Sequence, residues 1–245
     1  LTHELRASDA LFGNSTFADL IHQVQLELTG AQISLTAPLS LEATLRAGQL
    51  RVRDFFRLYQ YENFLYKMEL SGRELLGHLE YSYGLWFFGP GEAEGHLLRF
   101  RQDAEGRVQI DRSQERAMLR HPFYNFDSAA GIMYEVNLDK PIGSRVNILS
   151  LENGEAFDLD KTYTVAINSY RGSGGGGHLT RGAGIPHNEL ASRIVSSTNR
   201  DFRSELIRLF SEKPVLTPET RDNWRLLPPE RVKELSVQDF KLLFP

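Results

Sequence analysis

Between Tyr163 and Leu179 a strand pattern runs directly into a cluster of glycines. Tyr163, Val165 and Ile167 alternate with Thr164, Ala166 and Asn168, the period-two pattern of a strand with one buried face. Gly172, Gly174, Gly175, Gly176 and Gly177 follow, with Ser173 alone among them. Glycine loses the most backbone entropy on folding. Such a run therefore destabilises a chain unless the backbone must turn sharply or let another group come close. Two structures meet that requirement: a loop approached by a ligand, and a tight strand-end loop with no ligand. Gly174, Gly175 and at least one neighbour are accordingly expected at positive φ, or hard against a ligand or another backbone segment. Tyr170 and Arg171 stand at the junction, a flat aromatic face beside a fixed positive charge.

Gly172, Gly174 and Gly177 satisfy the G-x-G-x-x-G pattern letter by letter. That pattern binds a dinucleotide only where a helix starts at once and presents its N-terminus to the pyrophosphate. Gly182, Gly184 and Pro186 favour a continuing loop instead, so the dinucleotide reading is rejected.

The 245 residues suffice for a full core in one large domain or two small ones. A net charge of −4 argues against a general nucleic-acid binder, which carries a basic stripe. No cysteine is present, so disulfides and thiolate metal sites are excluded. No apolar run approaches the roughly 20 residues needed to span a bilayer. No signal peptide is visible and the sequence opens within a helix-like pattern, so the expectation is a piece of a longer protein or a mature chain.

Residues 1–13 read as a connecting segment. Phe17, Leu20, Ile21, Val24 and Leu28 then recur on one helical face, with Asn14, Ser15 or Thr16 as cap and Gly30 as stop. His22, alone on this helix, reads as a surface or core residue rather than a ligand. Residues 31–36 read as a buried strand. Ser71-Gly72-Arg73-Glu74 forms a capping box, opening a helix with Leu75, Leu76, Leu79 and Tyr83 inward. Residues 84–96 read as a loop whose aromatic tip, Trp86 to Phe88, staples to the core. A hairpin is expected from Leu97 to Ile110, turning near Asp103–Gly106, then a loop over 111–125. Residues 131–138, 145–151 and 162–168 read as strands, with Asn153-Gly154 as a hairpin signal. Residues 188–195 and 201–210 read as helices. Pro214, Pro218, Pro228, Pro229 and Pro245 mark a tail that wraps the surface. The pattern as a whole points to one domain of mixed α/β class.

Three blocks in order, Phe126 to Leu138, Gly143 to Val146 and Tyr163 to Gly177, resemble the C-terminal domain of the 5′-nucleotidases. The run Asn168-Ser169-Tyr170-Arg171 before the glycines is closer to the 2′,3′-cyclic-nucleotide 2′-phosphodiesterase branch. The likeness covers most of residues 12–226. It implies a layered α/β/β/α domain over 14–226, with 227–245 as a tail. It also implies that an N-terminal metallophosphatase domain of the same parent chain holds two divalent metal ions, while this domain takes the base and sugar of a nucleotide or nucleoside. By the same likeness the parent is a periplasmic, cell-surface or secreted hydrolase.

Carried over residue by residue, Tyr61 and Tyr170 would clasp the base from both sides, and Asn63 would bond its edge. Arg171 would approach a phosphate or stack, and Gly174 and Gly175 would border the substrate. Tyr61 read without the likeness is rather a strand aromatic packed into the core. Two positions depart from the family: Glu42 stands where an arginine helps hold substrate, and Gly176 where an aspartate reads a sugar hydroxyl.

The hydrolytic centre itself is not in the sequence. A two-metal phosphoesterase needs histidines and carboxylates converging on ions about 3.5–4 Å apart. None of His3, His22, His78, His96, His121, His178 and His187 falls in an Asp-x-His, Gly-Asn-His or Gly-His-x-His motif. The expectation is a recognition domain with no catalytic residue, metal ligand or cofactor of its own. The alternative is a stand-alone nucleotide-binding or scaffold module.

Overall fold

The computed structural model describes residues 1–92, 95–213 and 215–245. Residues 93 and 94 of the expected 84–96 loop, and Pro214 of the expected tail, lie outside the described residues. The opening segment holds a short strand β1 (Leu5–Arg6) and a 3-10 turn, with Leu5, Ala7 and Leu11 buried. Helix α1 (Thr16–Thr29) begins at Ser15, whose hydroxyl accepts the Ala18 N–H at 3.2 Å. It ends at Gly30, where a φ of 57° is cheap only for glycine. Phe17, Leu20, Ile21 and Val24 are buried as expected, and Leu28 is half-buried.

Strand β2 (Ile33–Thr36) follows, then β3 (Thr44–Leu45), helix α2 (Val52–Leu58) and strand β4 (Leu65–Ser71). Ser71 accepts the Glu74 N–H at 3.2 Å while Glu74 accepts the Ser71 N–H at 2.7 Å, so the capping box closes as expected and starts α3 (Gly72–Trp86). Leu75, Leu79 and Tyr83 are buried, and Leu76 is only half-buried. This helix runs on to Trp86, where a loop was expected. Trp86, Phe87 and Phe88 are all buried and do staple the chain to the core.

Residues 101–109 fold back as a short hairpin with one bridge, Gln102 to Val108, turning at Asp103–Gly106, while Phe100 bridges Leu119. A second small hairpin, β5 (Ile110–Asp111) with β6 (Arg116–Ala117), replaces part of the expected 111–125 loop. Strands β7 (Ser128–Ala130), β8 (Ile132–Asn137), β9 (Val146–Leu151) and β10 (Thr162–Asn168) come next, then one helical turn α4 (Ser169–Gly172). Asn153-Gly154 does turn the chain, but β9 and β10 belong to different sheets, so no hairpin forms there. Residues 187–193 form a 3-10 helix, and Ile194–Ser197 form strand β11 rather than a helix end. Helix α5 (Phe202–Ser211) is capped by Asp201. The expected tail holds strand β12 (Trp224–Leu227) and a 15-residue helix α6 (Pro229–Leu243), with Leu235 and Leu243 buried.

Two sheets result. One has the order β11-β4-β10-β2-β7, the other β12-β8-β9. Helix α1 packs on the five-stranded sheet and α6 on the three-stranded one, while α3 touches both. The fold is the layered, mixed α/β class expected. Tyr163, Val165 and Ile167 share a core with Met68, Leu70 and Leu79, while α1, α2 and α5 enclose a second core around Phe17, Phe55 and Phe202. No described helix is long and apolar enough to cross a membrane.

Candidate functional site

The β4–β10 register builds the site. The strands are antiparallel with Asn168 opposite Leu65, so the end of β10 and the start of β4 lie at the same edge. Tyr170 follows that end and Tyr61 precedes that start. Tyr61 thus lies in the link from α2 into β4, and not at the end of a strand, as Glu62 and Asn63 after it suggest. Tyr61, Asn63 and Tyr170 line one cleft of about 280 Å³ together with Leu39, Tyr124 and Asn168. Tyr61 is 37% exposed and Tyr170 45%, so neither ring is a core residue. Leu39 sits at a φ of 58°, an uncommon conformation for a bulky residue, which marks the cleft wall as strained.

Tyr124 is the third aromatic wall, its ring edge-on to Tyr61 with centroids 6.2 Å apart. Burial and the neighbouring Tyr124 and Tyr170 hydroxyls raise the Tyr61 hydroxyl pKa, so it stays protonated at neutral pH. Asn63 donates through Nδ2 to Tyr59 Oη at 3.2 Å. Asn168 caps α4, its Oδ1 accepting the Arg171 N–H at 2.9 Å.

Arg171 does not reach the cleft. It is 2% exposed, and all five of its N–H groups are used within the protein. Nε and Nη2 each donate to Asp127, at 2.9 Å to Oδ2 and 2.9 Å to Oδ1. Nη2 also donates to the Tyr124 carbonyl at 2.8 Å. Nη1 donates to Asn125 Oδ1 at 3.1 Å and to the Gly175 carbonyl at 2.6 Å. The expected phosphate contact is therefore replaced by a strut: Arg171 ties the Tyr124 turn to the glycine loop that carries Tyr170.

The glycines serve that packing. Gly174, Gly176 and Gly177 adopt φ of 94°, 73° and 82°. A Cβ on Gly175 would come within 2.6 Å of the Tyr170 ring and of the Tyr170 carbonyl. Gly174 and Gly175 do not line the cleft; Gly175 backs the Tyr170 ring, and a Cβ on Gly174 would press on His187 and Leu190. At Gly176 a Cβ would collide with Arg171 Nη1 and Asn125 Oδ1, so the guanidinium fills the space a larger residue would need. The expected loop after Gly177 is instead a single π-helical turn, His178–Gly182. Glu42 pairs with Arg116 and lines a separate open groove of about 880 Å³ with Arg46 and Arg57. Phe56, Phe240 and Phe244 also line that groove, which shares no residue with the tyrosine cleft.

Behind the strut lies a buried polar cluster that no sequence motif brings together. His78 Nε2 donates to Asp127 Oδ2 at 2.9 Å, and His178 Nε2 donates to the Asn125 carbonyl at 2.9 Å. One ligating atom from each of His78, Asp127 and His178 lies within 4.8 Å of the others. A cation there would compete with Arg171 for the same carboxylate. Burial pushes the Asp127 carboxyl up, but Arg171, His178 and His78 outweigh it and hold it well below the usual carboxylate range. Burial lowers both imidazoles, His178 to about 3, so both are neutral at pH 7. The arrangement is a buried ion pair buttressed by two neutral imidazoles.

Similarity to known proteins agrees with the fold. The chain is 28% identical over 198 residues to the Trifunctional nucleotide phosphoesterase protein YfkN of Bacillus subtilis (strain 168), covering 74% of this chain and 12% of that protein. It is 27% identical to the 2′,3′-cyclic-nucleotide 2′-phosphodiesterase/3′-nucleotidase of Salmonella typhimurium (strain LT2), covering 74% of this chain and 26% of that protein. The chain thus spans about a quarter or less of the length of these relatives. Its fold superposes on a putative 5′-nucleotidase from Staphylococcus aureus, solved with alpha-ketoglutarate, with a TM-score of 0.66 at 21% identity, over 92% of this chain and 40% of that one. Residues 2–181 match the family described as 5′-nucleotidase, C-terminal domain, and the chain belongs to that family.

Proposed function

We propose that this chain is the base-and-sugar recognition domain of a parent phosphoric-ester hydrolase acting on nucleotides, of the 5′-nucleotidase or cyclic-nucleotide phosphodiesterase kind. The observation that carries the reading is the pairing of two half-exposed tyrosines, Tyr61 and Tyr170, in one cleft that also holds two amide side chains. A base presents two flat faces, and stacking on an aromatic ring is worth on the order of 1–3 kcal/mol. The cleft is near the small end of the roughly 300–1,000 Å³ typical of ligand sites, which suits a base with part of its sugar. With Arg171 committed to Asp127, no cation lines the cleft among the described residues to hold a phosphate. The phosphate is assigned to a two-metal centre in another domain of the parent, which this domain would meet as its partner.

On this reading the chain does not hydrolyse esters by itself. Incubation with Mn²⁺ and 2′,3′-cyclic AMP should give no turnover, and metal-dependent turnover that copurifies with the chain would refute it. Because a related solved structure is described as a 5′-nucleotidase precursor from Thermus thermophilus, a periplasmic, cell-surface or secreted setting is proposed for the parent. The direct test is calorimetric titration with ribonucleosides. Tyr170→Ala should weaken binding by roughly tenfold to a hundredfold, the equivalent of 1–3 kcal/mol. Unchanged affinity in a folded variant would remove the recognition reading and leave a scaffold module.

A further inference from the structure

We propose that Asn168 is a specificity-determining residue of the cleft, donating a hydrogen bond from Nδ2 to an acceptor atom on the edge of the bound base. The inference rests on the recognition role proposed above. Asn168 lines the cleft and is largely buried. In most asparagines the two ends of the amide are interchangeable. Here they are not, because the Arg171 N–H at 2.9 Å must be met by the carbonyl oxygen. Nδ2 therefore has one possible orientation. It forms no hydrogen bond with the described residues and is not sealed from solvent. A largely buried amide in the cleft wall, with its donor unpartnered, favours ligands that bring it an acceptor and disfavours those that do not.

The position is also rigid. Arg171, whose N–H fixes the amide, is itself held by five side-chain hydrogen bonds. The donor consequently cannot swing to suit a ligand that presents a hydrogen at this place. Unprotonated ring nitrogens and carbonyl oxygens of bases are acceptors, whereas exocyclic amino groups and the ring N–H of guanine and uracil are donors. The cleft should then discriminate among bases by which edge atom meets Asn168, with the aromatic rings supplying affinity without preference.

The cap allows a clean test, since aspartate and serine also cap helices well. Asn168→Asp keeps the carbonyl-type oxygen for the Arg171 N–H and replaces only the donor with an acceptor. The wild type, Asn168→Asp and Asn168→Ser are titrated with adenosine, guanosine, cytidine and uridine, and thermal unfolding is followed in parallel. Wild type should bind at least one nucleoside. Both variants should bind that nucleoside at least about tenfold more weakly, with midpoints close to wild type. A role limited to capping makes Asn168→Asp indistinguishable from wild type, and that result overturns the proposal while leaving the recognition reading intact. If wild type binds none of the four, both fall. Asn168→Ser carries the test alone if the aspartate variant does not fold.

Discussion

Asp127→Asn isolates the buried strut. The change preserves shape but removes the charge facing Arg171 and turns one acceptor oxygen into a donor amide. Both Asp127 oxygens face N–H groups, Arg171 Nη2 at Oδ1, and Arg171 Nε with His78 Nε2 at Oδ2. Whichever way the new amide turns, it meets a donor. Arg171 is meanwhile left as a buried cation without a counter-ion. Breaking a buried pair in this way costs about 3–5 kcal/mol. At roughly 2–4 °C per kcal/mol for a domain of this size, the melting midpoint should fall by about 6–20 °C. Urea unfolding at pH 7.5 gives the energy directly, with an unchanged slope confirming that the unfolded state is not altered. The double variant Asp127→Leu with Arg171→Met should be less damaged than Asp127→Asn alone, because no unpaired charge remains. A loss under about 1 kcal/mol in the single variant would refute the strut as an energetically coupled unit.

Burial lowers His22 and His178 to about 3 and lowers His78 as well. Each binds its proton only when unfolded, so stability is full above about 6.5 and is lost as pH falls from there toward 3. Asp19, raised to about 6 by burial, works the other way, adding stability as pH falls from 6 toward 3.8. The net expectation from His22, His178 and Asp19 is a loss of about 2–3 kcal/mol between pH 7.5 and pH 5, which His78 increases, read from urea midpoints, and a flat profile would contradict it. Gly175→Ala should push the Tyr170 ring out of place, since the new Cβ would lie 2.6 Å from it. Nucleoside affinity should drop while the fold survives with about 1–3 kcal/mol lost, and unaltered binding would show that Gly175 does not set the ring.

Local rules made the elements legible and left their commitments obscure. The alternation of Tyr163 to Asn168, the Ser71–Glu74 box and the Ser15 and Gly30 caps act within a few residues, and each formed as the sequence implied. Residues 194 and 195 did not, because a short apolar pair suits a helix end or a strand, and pairing with β4 decided it. Helix α6 was hidden by prolines. Pro228 and Pro229, which on their own suggest a surface wrap, sit at its N-terminus, where proline is tolerated.

The candidate site divides the same way. Tyr61 and Tyr170 follow from the likeness to the family, and they share the cleft because of a strand register no local rule specifies. Tyr124 and Asn168 were overlooked for opposite reasons: one lay in a stretch read as a loop, the other in a strand read for its apolar face. Arg171 is the instructive error. A charge beside glycines suggests an anion, but a guanidinium only 2% exposed must place five donors, and a ligand that leaves cannot hold them permanently. Its acceptors had to come from the chain, and Asp127 supplies two from 44 positions away. The cleft therefore has an aromatic and amide lining, with the neighbouring guanidinium withdrawn behind the wall. That division suits a domain that grips the base and leaves the phosphate to another.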